Sequence, residues 1–246
     1  VKRLIVTADD AGLEPGMTAG AIRAHRDGIV TACSIVANGN AFDDAVARLC
    51  DTPTLEVGAH LALVEERALT TGAPMPKGYV QFLLSRRRVD IEAELRAQLD
   101  KILATGLRIT HLNGHQHLHM LPSIFAIVQR LADEHRIRYI RVVNDRGGRG
   151  GIARRAAIAA LSMLGRRVDK NRGTIGVMEA GHLTADRLIA LFDHVDDMTE
   201  LVTHPGIGVR GYDWGYAWDE ETDALCAPSV RDALAARGIQ LVAPSL

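Results

Sequence analysis

The chain has 246 residues, 47% of them hydrophobic, enough for a sizeable core and too many for an intrinsically disordered protein. Its 29 Lys and Arg against 30 Asp and Glu give a net charge of -1, which excludes a broad basic face for nucleic acid. Three cysteines, Cys33, Cys50 and Cys226, without a Cys-x-x-Cys pair, indicate neither a disulfide framework nor a thiolate zinc site, and a cytoplasmic location is expected.

A strand is predicted over residues 3–8, an apolar run too short for a signal peptide because Asp9 and Asp10 cut it off. A helix over 18–26, stopped by Gly28, leads to a strand over 30–36, and a helix over 42–50 leads to a strand over 56–61. The next helix, 91–105, is stopped by Gly106 and followed by a strand over 108–112. Pro122 opens a helix over 123–135 before a strand over 138–143. Further on come a helix over 153–164, a strand over 174–178, a helix over 185–195 and a strand over 200–203. The last pair is a helix over 229–237, stopped by Gly238, and a strand over 239–242. Such alternation predicts an α/β fold, and eight strands in about 250 residues predict a single (β/α) barrel domain over residues 1–246.

Four of the ten histidines, His111, His115, His117 and His119, fall in nine residues directly after a predicted strand. Imidazole is the commonest nitrogen ligand for zinc-like ions, so the cluster points to a metal site, without saying which histidines are ligands. The pair Asp9-Asp10 ends the first strand, either as a turn cap or as a metal ligand beside a base. His60 ends the third strand and His204 the seventh, and Arg141 stands at the end of the fifth. All these groups are at carboxyl ends of strands, which converge on one catalytic face in an α/β barrel. Gly206-Ile-Gly-Val-Arg-Gly211 matches a dinucleotide-binding pattern, but no helix is predicted after it, and the fingerprint requires one. The aromatic run Tyr212, Trp214, Tyr216 and Trp218 reads as packing or as a sugar-stacking loop.

The segments Thr7-Ala8-Asp9-Asp10, Gly58-Ala59-His60-Leu61, His111-Leu-Asn-Gly-His115-Gln-His117-Leu-His119 and Leu201-Val-Thr-His204-Pro-Gly206 together resemble the YdjC-like carbohydrate deacetylases. The resemblance runs in order along essentially the whole chain and implies a distorted (β/α) barrel similar to the NodB-type deacetylases. It implies one divalent metal ion, Mg2+ or Zn2+, held by Asp10, His60 and His115, with Asp9 as base and His204 as acid. Arg141 is expected to orient Asp9 or to hold substrate, and His117 and Asn113 to touch substrate. The implied reaction removes the N-acetyl group from an N-acetylated amino sugar, by metal-activated water. Asn113-Gly114 stands where the family often has Asp-Ser, and leans toward the branch associated with hopanoid glycolipids. The competing enzyme class is another barrel metal-hydrolase, of the amidohydrolase or phosphoesterase type. Those place a His-x-His pair on the first strand, where this chain has Asp-Asp.

Residues 149–172 carry seven basic side chains against the single Asp169, a net +6, around an apolar stretch over 156–165. Such a segment is expected either to cover the barrel or to rest on an anionic membrane at its cytoplasmic face and admit a glycolipid. A sugar or glycolipid substrate, no nucleic acid, and a homodimer complete the expected partners.

Overall fold

The computed structural model describes residues 1–85, 90–145, 171 and 173–245. The predicted helix over 153–164 and all of the basic stretch 149–172 except Asn171 lie outside the described residues. Strands β1 (Lys2–Ala11), β2 (Ala32–Ile35), β3 (Glu56–Leu61), β4 (Ile109–Gly114) and β5 (Tyr139–Ile140) alternate with helices α1 (Pro15–Arg26), α2 (Phe42–Cys50), α3 (Tyr79–Ser85), α4 (Ile91–Leu103) and α5 (Pro122–Glu134). Strands β6 (Gly173–Ile175), β7 (Thr199–Thr203) and β8 (Ile239–Leu241) follow, with helices α6 (Ala185–Leu191), α7 (Trp218–Cys226) and α8 (Pro228–Ala236).

Local chemistry sets most of these boundaries. Pro15, Pro122 and Pro228 open α1, α5 and α8, where a missing N–H costs nothing. The Asp90 carboxylate accepts from Ala93 N (3.1 Å) at the start of α4. Gly176, at φ +86°, ends the predicted strand over 174–178 early, and a short 3-10 turn, Val177–Glu179, follows. Helices α3 and α7 were not predicted. The second starts on three acidic residues, Asp219, Glu220 and Glu221, which suit a helix N-terminus.

The strands pair in parallel in the order β5-β4-β3-β2-β1-β7-β6. Leu4 pairs with both Thr199 and Leu241, so β8 runs along the edge of β1 opposite β7. Parallel strands covered by helices are buried on both faces, and β1 is buried from Leu4 to Ala11. The two ends of the sheet meet beyond β5. Thr174 N donates to Asn144 O (3.1 Å), Asn144 N donates to Thr174 Oγ1 (3.0 Å), and Asp145 bridges to Thr174. The Asn171 side chain joins the same seam, accepting from Val142 N (2.8 Å) and donating to Val142 O (2.7 Å). The result is a distorted barrel with one seam held by few bonds. No helix among the described residues is long and apolar enough to cross a membrane.

Charge fills part of the barrel interior. Arg141, fully buried just past β5, donates through Nη1 and Nη2 to Asp9 (2.5 and 2.9 Å) and through Nε to Glu200 (2.8 Å). Glu200, in the middle of β7, also accepts from Thr7 Oγ1 and Tyr139 Oη, both at 2.8 Å. The guanidinium thus ties β1, β5 and β7 together from within. Removing one partner of a buried ion pair strands the other charge, at a cost of ~3–5 kcal/mol. Arg141→Met is therefore expected to lower the unfolding free energy by about that much. Urea denaturation of the metal-free protein checks it, and an unchanged midpoint would mean that Asp9 and Glu200 need no cation.

Candidate active site

At the end of β1 the backbone departs from a regular strand. Between Ala8 and Ala11 the register against β2 slips by one residue, a bulge, and Asp10 takes φ +69°. In a regular strand adjacent side chains face opposite sides of the sheet. The bulge instead buries both carboxylates in the barrel mouth, with Asp9 at 2% and Asp10 at 3% exposure.

The two neighbours meet different partners. Asp9 Oδ1 accepts from Ser34 Oγ (2.8 Å), Asn113 Nδ2 (3.0 Å) and Arg141 Nη2, while Oδ2 accepts from Arg141 Nη1. Burial pushes the Asp9 carboxyl up, but Arg141, with His60 behind it, more than reverses this and holds it well below the usual carboxylate range. Asp10 Oδ1 lies 3.1 Å from His60 Nε2 and 2.9 Å from His115 Nδ1. Asp10, too, is pushed up by burial and brought well below its ordinary value by His115 and His60.

His60 ends β3, and its Nδ1 donates to Asn113 Oδ1 (2.7 Å), which leaves Nε2 turned to Asp10. Burial lowers the His115 imidazole, yet Asp10 and Glu65 together raise it to about 10. A proton on His115 therefore supplies a positive charge that these carboxylates require. Asp10, His60 and His115 present one ligand atom each within 4.8 Å of one another and could hold a metal ion. Their 2.9 and 3.1 Å separations are hydrogen-bond distances, short enough for the three atoms to share one ion. The residues fit a divalent cation.

Of the histidine cluster only His115 joins this group. His111 packs its ring over Gly58, where a Cβ would meet ring atoms at 2.3 Å. His119 Nε2 donates to Arg141 O (3.0 Å), beneath the site. Gln116 and His117 take φ +49° and +57°, and this turn brings His117 to the cavity wall. His204 follows β7, its backbone N–H given to Glu221 Oε1 (2.5 Å) and its ring against Tyr216 at 5.4 Å. Its Nδ1 has no hydrogen-bond partner among the described residues. Burial lowers the His204 imidazole, only partly opposed by Asp10 and Asp9.

A cavity of about 710 Å³ opens over these groups. Asp9, Asp10, His60, His115, His117 and His204 all line it. Arg141 and Asn113 do not. Both are fully buried below the floor with their side chains bonded to Asp9, an arrangement that fits the orienting role open to Arg141 and gives Asn113 the same partner. Three participants escaped sequence reasoning. Glu65 reaches His115 Nε2 (3.0 Å), Ser34 lies under Asp9, and Glu200 backs Arg141. The aromatic run packs together: Trp214 contacts Tyr212, Tyr216 and Trp218, and it also walls the cavity beside His115, 5.3 Å between ring centres.

The chain is similar to known proteins along nearly its whole length. A carbohydrate deacetylase of Geobacillus stearothermophilus is 31% identical over 97% of this chain and 95% of its own. One from Brevibacillus brevis is 39% identical, over 55% of this chain and 57% of that one. Among solved structures, a protein of Enterococcus faecalis V583 described as a cellobiose-phosphate cleavage protein shares the fold at TM-score 0.79, with 20% identity over 99% of this chain and 97% of that one. A family 4 carbohydrate esterase of Streptomyces lividans, in complex with acetate, shares it at TM-score 0.51, with 11% identity over 99% of this chain and 94% of that one. The model of the YdjC-like protein family matches residues 3–236, and the chain belongs to that family.

Proposed function

We propose that the chain is a metal-dependent hydrolase that removes the N-acetyl group from an N-acetylated amino sugar. The observation that carries this reading is the convergence of an Asp-His-His group, an Arg-paired carboxylate and a histidine on one cavity. The description of its curated relatives as carbohydrate deacetylases supports it.

Asp10, His60 and His115 would hold one divalent ion. Two imidazoles and one carboxylate favour zinc over magnesium. A bound ion supplies Lewis acidity, acidifying water and polarising the acetamide carbonyl. Asp9 is kept ionised by Arg141, and three of its four bonds fall on Oδ1. Oδ2 therefore keeps a lone pair for the water proton. So weak a base needs water of lowered pKa, which is why the carboxylate and the cation site must be neighbours. His204 lines the same cavity and, once protonated, would give that proton to the departing amine. His117 also lines the cavity and would contact the sugar there. Trp214, Tyr216 and Tyr79 present ring faces for the apolar side of a pyranose. Met120, Leu121, Val143 and Val177 continue the wall in apolar form and support an apolar aglycone, as in a lipid-linked N-acetylglucosaminide such as a hopanoid.

Acetate release tests the reaction and sorts the aglycone. Chelated enzyme reloaded with zinc or magnesium is assayed on soluble N-acetylglucosaminyl oligosaccharides and on N-acetylglucosaminyl lipids. No acetate from either class would reject the reading. Alanine at Asp10, His60 or His115 is expected to remove bound metal with the fold intact, read as metal content per chain beside the circular dichroism spectrum. Full metal content in all three variants would place the ion elsewhere.

The adjacent aspartates are expected to fail differently. Asp9→Asn should keep the metal and lower kcat by ~100-fold or more, because an amide does not take the water proton. His204→Ala should also keep the metal, with a defect that shrinks on substrates whose amine leaves more easily. A metal-free Asp9→Asn protein would show the two aspartates in exchanged roles.

A further inference from the structure

We infer that Glu65 is a positioning residue for the metal centre, fixing His115 so that Nδ1 is its ligand atom. The inference rests on the metal-dependent reading above. Glu65 lies in the loop after β3, five residues beyond His60, and its Oε2 is 3.0 Å from His115 Nε2. Its other oxygen accepts from Gln116 Nε2 (2.9 Å), so one carboxylate spans two consecutive residues of the histidine turn. Only one nitrogen of an imidazole can face a metal while the other donates a hydrogen bond. Here Nδ1 faces Asp10 and Nε2 faces Glu65. A carboxylate on the far nitrogen fixes both the tautomer and the ring angle of a ligating histidine.

The loop is built to hold Glu65 there. Its φ is +71°, a conformation that non-glycine residues rarely adopt and that persists only where the surroundings impose it. Glu65 N donates to Pro76 O (2.7 Å), and Met75 N to Glu66 O (2.8 Å), closing the loop on itself. Two residues one turn apart on α4 anchor its root. Gln98 bonds both N and O of Ala62, at 2.9 and 2.7 Å, and Glu94 accepts from Leu69 N and Thr70 N. The neighbouring Glu66 turns away and accepts instead from Tyr212 Oη (2.6 Å). It carries the same charge nearby without touching His115, and so serves as an internal control.

Calorimetric titration of zinc into metal-stripped protein tests the inference, with wild type, Glu65→Ala, Glu65→Gln and Glu66→Gln compared. Loss of a carboxylate behind a ligating histidine weakens metal binding ~10–100-fold, and that loss is expected for Glu65→Ala. Glu65→Gln keeps an acceptor oxygen and should recover part of the affinity, while Glu66→Gln should bind as wild type does. Cobalt(II) loading adds a spectroscopic readout: the visible bands should shift in Glu65→Ala and stay in place in Glu66→Gln. Equal zinc affinity and an unshifted cobalt spectrum in Glu65→Ala would overturn the role of Glu65 alone. Equal losses in Glu65→Gln and Glu66→Gln would reduce it to a general charge effect and also overturn it. Absence of stoichiometric zinc uptake by the wild type would overturn the metal-centre reading itself.

Discussion

A guanidinium sealed inside the barrel sets the terms for everything above it. Arg141 cannot shed its proton, so two carboxylates must accompany it, and they come from two adjacent strands, Asp9 on β1 and Glu200 on β7. That pairing requires β1 and β7 to be neighbours in register, as they are, with Thr7 beside Val202 and Ala8 beside Thr203. It also requires Asp9 to face inward. Once Asp9 is inward, Asp10 can share the barrel mouth only if the strand bulges, and the φ of +69° at Asp10 follows from that demand.

Unusual backbone is concentrated at the same place. Among the described residues six non-glycine positions have positive φ, and Asp10, Glu65, Gln116 and His117 are four of them. All four line the cavity. Each costs about 1–3 kcal/mol by itself, so the surrounding bonds must over-determine it. Loops anchored at both ends satisfy that condition. The loop of Glu65 is pinned by Glu94 and Gln98 on α4, and the turn of Gln116 and His117 is held between β4 and α5. Apart from Tyr79 at the start of α3, the described α-helices shape the site through the loops they restrain.

The strands and their carboxyl ends were legible in the sequence, because apolar runs ending in Asp, His or Arg are the mark of a barrel whose rim does chemistry. Residues 56–61 and 42–50 are found as predicted, and Asp9, Asp10, His60, His115 and His204 do meet. What the pattern left open was direction. The spacing of the histidines gives no sign that His111, inside β4, packs on Gly58 while His115 faces Asp10, because β4 ends at Gly114 and a 3-10 turn that breaks the strand period begins at His115. Glu200 had a readable signal, a charge inside the apolar run of β7, which demands a buried cation. Glu65 had none, since a glutamate in a Pro- and Gly-containing loop looks solvated until the fold turns it inward. The absence of Arg141 and Asn113 from the cavity wall has the same origin: sequence locates a residue at a strand end but does not say on which side of the floor it lies.

Two identical side chains, adjacent in the chain, thus acquire different chemistry from the kinds of cation set against them. Asp9 is matched to an arginine, whose charge is permanent, so its own ionisation is fixed and nothing displaces its partner. Asp10 is matched to two imidazoles, which carry charge only as long as they keep a proton. In the proposed metal-bound state an ion would take the place of a proton on His115, because it would deliver positive charge to the same carboxylate while requiring the imidazole to be neutral. The arginine side of the bulge therefore holds a carboxylate with a permanent partner, and the histidine side holds the carboxylate of the candidate cation site. One bulge separates the two, and either aspartate moved by a single residue along β1 would lose its partner set.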